Sequence, residues 1–218
     1  MSARKSSIQA IAFACALLVS VGTAHAAKGE FSIGGVFGVG FYSGGSLNDS
    51  LEAAGYKKVS EGWEYGGSLR YALSPKISLD AEVLSINGKG TTDSVTPKFQ
   101  AEVNGIAAPL SLYYAISEND NSALSLFVGA GPMFKTGWST SQEPNETDSK
   151  NTTAFYGHAG IEGQWRMSHT LALTTSALAR IAKAKDVEQS DDPLTKLDVS
   201  MDGFALNLGL RAFFGGAK

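Results

Sequence analysis

Apolar and polar side chains alternate with period two along eight segments of ten or more residues, and this pattern constrains the fold more than any other feature. Period two belongs to an extended strand with two unlike faces. The first segment sets Phe31, Ile33, Phe37, Val39 and Phe41 against Ser32, Gly34, Gly38 and Gly40. The second sets Trp63, Tyr65, Leu69, Tyr71 and Leu73 against Glu64, Gly66, Ser68 and Arg70, and the third sets Ile77, Leu79, Ala81 and Val83 against Ser78, Asp80 and Glu82. A fourth, from about Phe99 to Ser117, changes phase near Gly105, where a bulge is expected. The fifth, about Ala123–Gly137, opposes Leu124, Leu126, Val128, Ala130 and Phe134 to Ser125, Phe127, Gly129, Gly131 and Lys135. Three more cover about Ala154–Met167, Leu171–Ala182 and Gly203–Phe214.

The connections alternate as well. Ser74-Pro75-Lys76, Glu118-Asn119-Asp120-Asn121 and Ser168-His169-Thr170 are short, whereas about Gly44–Gly62, Lys89–Lys98, Thr136–Thr153 and Lys183–Asp198 are long. Within the first long connection, Asp49 to Tyr56 reads as a helical turn or two, stopped at Gly55. Short turns at one end and long loops at the other suit an even-stranded antiparallel barrel in a membrane. Ten residues at ~3.3 Å each, tilted by ~40°, rise about 25 Å, the height of an outer-membrane apolar band. The outward aromatics sort by end: Phe41, Trp63, Tyr65, Phe99, Phe134, Phe155 and Phe204 toward the loops, Phe31, Tyr71, Tyr114, Trp165 and Phe214 toward the turns. Two interfaces select two such girdles.

The N-terminus reads as an address. Arg4 and Lys5 precede an apolar run from Ala10 to Val21, and Ala24-His25-Ala26 places small residues before a cleavage site. Residues 1–26 are expected to be a signal peptide cut between Ala26 and Ala27, leaving 27–218 as the barrel domain. Twelve apolar residues are too few for a spanning helix of ~20. The single cysteine, Cys15, falls in the removed segment, so no disulfide framework or cysteine-based zinc site is expected. A net charge of −3 supplies no basic field, and nucleic acid is not expected as a partner.

With these elements in place the chain resembles the OmpA- and OmpX-type small outer-membrane barrels. The residues that carry the resemblance are the glycine-rich Val128-Gly129-Ala130-Gly131-Pro132 and the closing Leu206-Asn207-Leu208-Gly209-Leu210-Arg211-Ala212-Phe213-Phe214. The chain departs from them in continuing past Phe214 with Gly215-Gly216-Ala217-Lys218. The resemblance implies an all-β, eight-stranded antiparallel transmembrane up-and-down barrel in the outer membrane of a Gram-negative bacterium. It implies as partners the outer-membrane lipids with lipopolysaccharide, the barrel-assembly machinery, and a host or surface ligand held by the loops. The alternative on the residues alone is a soluble lipocalin-type barrel with its apolar face inward; the small residues of the polar face, suited to a narrow lumen, argue against it.

The lumen face then carries Glu64, Asp80, Glu82, Glu102 and Glu162 against Arg70, Lys135, Arg166, Arg180 and Arg211. Unpaired charges in so narrow a bore are costly, so a packed salt-bridge network is expected rather than an ion path. His158 shares this face with Glu162, but no neighbouring motif matches a barrel hydrolase, and His169 lies in a turn at the other end. No catalytic residue, cofactor or metal is expected. Outside the bore, Asp186, Glu188, Asp191, Asp192 and Asp198 against Lys196 form the densest acidic stretch and the candidate interaction surface. The expected function is non-enzymatic: envelope integrity or surface interaction and adhesion. A porin-like conduit for small solutes or hydrophobic molecules is the alternative, and an outer-leaflet lipid A-modifying enzyme is a lesser one.

Overall fold

The computed structural model describes residues 29–92, 98–119, 121–142, 145–190 and 196–215; the expected signal peptide and cleavage point lie outside the described residues. Strands β1 (Phe31–Gly44), β2 (Glu61–Ala72) and β3 (Ile77–Thr92) are followed by β4 (Phe99–Ala107) and β5 (Leu110–Glu118), two halves of one wall strand interrupted at Ala108-Pro109. Then come β6 (Ser122–Gln142), the short β7 (Asn145–Asp148), β8 (Thr152–Arg166), β9 (Leu171–Glu188) and β10 (Lys196–Phe214). All pairings are antiparallel, and β1 pairs β10 from Phe31↔Phe214 to Phe41↔Phe204. With β4 and β5 sharing one place in the wall, eight strands close a ring. Closure leaves no strand edge in the bilayer, where an unpaired backbone N–H or C=O costs several kcal/mol.

Around the waist, bulky apolar side chains face outward. Phe31, Ile33, Phe37, Phe41, Leu69, Val83, Leu112, Val128, Ile181, Leu208 and Leu210 are exposed, while Ser32, Arg70, Asp80, Ser111, Glu162 and Arg211 on the opposite parity are buried in the lumen. Lipid replaces water as the outer solvent, so the inside-out arrangement is the stable one. Ten of the twelve aromatics expected in the two girdles are exposed, and Trp165 is half-buried. Phe99 is buried, stacked on Tyr56 with ring centroids 3.7 Å apart.

Phe99 belongs to a second storey. Above the loop-side girdle the wall continues as strand, so parts of the last three expected long loops are sheet: β6 and β7 form a hairpin from Ser139↔Asp148 to Gln142↔Asn145, and β9 pairs β10 up to Glu188↔Lys196. The polarity reverses there. Val59, Leu84, Ile86, Ala101, Val103, Met133, Trp138, Ala182, Ala184, Val187, Val199 and Met201 point inward and form one apolar core, while Lys89, Lys183 and Lys185 face outward. This part of the wall stands in water, and water drives apolar side chains to the inside. Helix α1 (Ser46–Ala53) lays Leu47 and Leu51 on this core and closes the mouth. It starts three residues before the expected turn and gives way to Gly55 at φ 79°. Asn48 holds the helix to the wall: its amide donates to the Ser43 and Val59 carbonyls, and its carbonyl accepts from the Val59 N–H.

The fourth wall strand does not change phase at Gly105. Odd positions from Phe99 to Ala115 face inward throughout. What changes is the surrounding solvent: apolar residues are inside above the girdle and outside below it. The bulge is on the neighbouring strand, where the β4–β6 register shifts between Asn104 and Ile106 and Lys135 takes φ 51°.

Candidate functional site in the barrel lumen

The strands bring eight of the ten charged residues expected in the lumen to its inner face, and Glu30 joins them. At the turn end Arg166 Nη2 donates to Glu30 Oε2 at 2.6 Å, and its guanidinium lies 4.3 Å from the centre of the Phe213 ring. At mid-height the β2–β3 register sets Arg70 beside Asp80. Arg70 Nε donates to Asp80 Oδ2 at 2.9 Å, and its two terminal nitrogens grip Glu162 across the bore at 2.6 and 3.1 Å. Such two-pronged pairing matches the planar guanidinium to a carboxylate. Arg211 shares Asp80 Oδ2 at 2.9 Å and also donates to Ser68 and Ser32. The Arg70 guanidinium stacks 3.6 Å from the Tyr113 ring centre and fills the remaining width. Higher up, Arg180 pairs with Glu64, both side chains fully buried, under the Tyr42 ring.

Glu102 and Lys135 are corrections. Both lie outside the bore: Glu102 pairs with Lys89 at 3.5 Å on the outer wall, and Lys135 is exposed at the bulge of β6. Their charges read as luminal only if the apolar face looks outward along the whole strand, and above the girdle it looks inward. Glu30 was missed although it shares the parity of Ser32 and Gly34, because it precedes the first alternating residue.

A fourth arrangement joins Glu82, Ser111, His158 and Tyr156. The Ser111 hydroxyl lies 2.8 Å from Glu82 Oε1 and 2.8 Å from His158 Nε2, and the Tyr156 hydroxyl is 3.2 Å from His158 Nδ1. One proton assignment satisfies the whole chain: Tyr156 donates to Nδ1, Nε2–H to Ser111, and Ser111 to Glu82. A hydrolytic triad runs the other way, with the acid on Nδ1 and the serine donating to Nε2. Here the acid holds the serine, so the imidazole is not arranged to take its proton. Gly129 makes room for this chain, since a Cβ there would collide with Ser111 Oγ and His158 Nε2.

The space left inside is small. One cavity of about 40 Å³ lies by Glu30, Arg70 and Tyr113, and another of about 40 Å³ lies by Asp80, Glu82, His158 and Glu162. Each holds a few waters at most. Among the described residues no group of three or more His, Cys, Asp or Glu is placed to hold a metal ion.

The acidic stretch above the mouth is partly compensated. Glu188 accepts from Lys150 at 3.0 Å and pairs with Lys196 at 3.2 Å; these lysines hold its carboxyl below the usual carboxylate range, Lys150 foremost. Asp198 Oδ1 accepts from the Asp186 backbone N–H at 3.0 Å. Asp186 is exposed with φ 51°, and Asp191 and Asp192 lie outside the described residues.

A model of the outer membrane protein beta-barrel domain matches residues 11–211 of the sequence. The chain belongs to that family. It is therefore a protein of the bacterial outer membrane, and its eight-stranded ring is the fold that location demands. Among solved structures it is similar to the outer membrane protein OprG from Pseudomonas aeruginosa, at 15% identity and a TM-score of 0.56, covering 89% of this chain and 100% of that one. Neisserial surface protein A aligns at 14% identity and a TM-score of 0.49, covering 87% and 99%. Ail, the attachment invasion locus protein of Yersinia pestis, aligns at 15% identity and 0.48, covering 86% and 99%. No curated protein sequence matches the chain.

Proposed function

We propose that this protein is a non-enzymatic outer-membrane barrel, closed to solutes, whose extracellular storey serves surface interaction and whose rigid wall braces the envelope. The observation that carries the reading is the double closure of the bore. Buried arginine–carboxylate pairs cross it within the membrane, and an apolar core under α1 fills it above. A bore filled by side chains is also what eight strands enclose by geometry. Strand residues in the membrane face lipid or this filled interior, so external macromolecules meet only the upper storey. The arginine fork does not open by small motions, because releasing Arg70 leaves the buried Glu162 without its cation and Asp80 with Arg211 alone.

The test uses liposomes carrying the purified barrel, challenged with small sugars and followed by light scattering, with parallel attachment assays on cells. Swelling at the rate of empty liposomes is the expected result. Attachment should fall when α1 and the β6–β7 hairpin are replaced by short turns in a barrel that still migrates as folded. Rapid swelling, or attachment unchanged by the replacement, would contradict the reading.

A further inference from the structure

One groove, far roomier than the two luminal cavities, lies outside the bore. With a volume of about 590 Å³, it lies on the outer wall, lined by strands β1 to β4 and by Lys57, at the level of the loop-side girdle. Its side chains are set by register in two tiers. One tier runs Val39, Trp63, Asn87, Asn104 through the pairs Val39↔Trp63, Trp63↔Asn87 and Asn87↔Asn104; the tier above holds Phe41 beside Glu61 and Lys89 beside Glu102. Trp63 also stacks on Phe37 with ring centroids 5.2 Å apart, which extends the apolar floor down toward the hydrocarbon.

Position and chemistry define the occupant. The floor of Val39, Phe41 and Trp63 is at the depth where acyl chains end, and the rim is at the depth of headgroups. Among the described residues Lys57 makes no ion pair, and Lys89 is held only at 3.5 Å by Glu102, with both side chains about half exposed, so either ammonium can turn to another anion at little cost. A phosphate satisfies such lysines. It is repelled by Glu61 and by Glu102, which also accepts from Gln100 at 2.6 Å, and it offers no donor to the side-chain carbonyls of Asn87 and Asn104. Sugar hydroxyls donate to carboxylates and amide carbonyls, and a sugar ring packs its C–H face on an indole. We infer that this groove binds one outer-leaflet glycolipid with a phosphorylated sugar headgroup: acyl chain on Phe41 and Val39, ring against Trp63, phosphate toward Lys57 and Lys89. The inference does not depend on the lumen being closed.

Native mass spectrometry of the micelle-solubilised barrel tests this with three probes: an acylated, diphosphorylated glucosamine disaccharide, phosphatidylglycerol, and an uncharged acylated disaccharide. The first is expected to be retained at least tenfold more strongly than either of the others. Lys57→Gln with Lys89→Gln should erase that preference while heat-modifiable migration is unchanged, and Lys76→Gln at the opposite end should leave it intact. Trp63→Leu should weaken the phosphorylated sugar and leave phosphatidylglycerol unaffected. Equal retention of phosphatidylglycerol would make the groove a general anion site, equal retention of the uncharged glycolipid would remove the role of the lysines, and an unaffected double variant would place the lipid elsewhere. Each of these results overturns the proposal.

Discussion

Removing the Arg180 side chain is the sharpest perturbation of the lumen. Arg180 and Glu64 pair with neither side chain exposed to solvent, and Glu64 Oε1 has no hydrogen-bond partner. Arg180→Ala leaves that carboxylate buried without its cation, a loss of about 3–5 kcal/mol for a broken buried pair. Replacing both partners by leucine removes the charges together and keeps the volume, so the double variant should be about 2–3 kcal/mol more stable than Arg180→Ala despite carrying more changes. Taking an m-value of about 3 kcal/mol/M, the single substitution lowers the urea midpoint by roughly 1–1.7 M. Unfolding in lipid vesicles, followed by tryptophan fluorescence and checked by unboiled gel migration, reads both. A loss below about 1 kcal/mol for Arg180→Ala, or a double variant no better than the single, would refute the claim that this pair is dry and mutually dependent.

Three other outcomes follow from the same physics. Leu208→Arg places a charge on the lipid face between Phe37 and Thr175 and should cost about 2–4 kcal/mol, seen as reduced folded yield in vesicles. Leu47→Ala should cost about 2–5 kcal/mol in the upper core, speeding amide exchange in α1 and its neighbours while the membrane storey keeps its protection. The carboxyl of Glu188 is held low by Lys150 and Lys196, so its contribution is present above the unfolded value of about 4.3 and is lost as pH falls through the lower folded value. Exchange rates at the Lys150 and Ser190 amides, corrected for intrinsic chemistry, should therefore be low at pH 6 and rise only in acid as Glu188 is protonated, and Glu188→Gln should show the raised rates already at pH 6 with little further change in acid.

The membrane storey was legible because bilayer and lumen impose opposite demands on alternate residues. Arg70, Asp80 and Glu162 stand out on a strand face otherwise made of small residues. Which charge meets which was not legible: Arg70 and Glu162 are 92 positions apart and meet only once the ring closes. The upper storey was misread for a different reason. Alternation reports that two faces differ and leaves open which one meets the solvent. Phe99, Val103 and Val187 therefore look the same in sequence whether they face lipid or a core. Treating apolar as outward all along put Phe99 on the surface and Glu102 inside, and turned a change of surroundings into a supposed change of phase. At Lys135 a positive φ on a residue other than glycine gave no sequence signal.

Conductance bears most directly on the central claim that the bore is closed at two levels. Single barrels reconstituted in planar bilayers, in 1 M KCl at ±100 mV, should give no stable open level. They should also stay silent when α1 is cut out, because the Arg70, Glu162, Asp80 and Arg211 pairs still cross the bore. Regular conductance steps from the intact protein, unchanged when Arg70 is replaced by alanine, would contradict it.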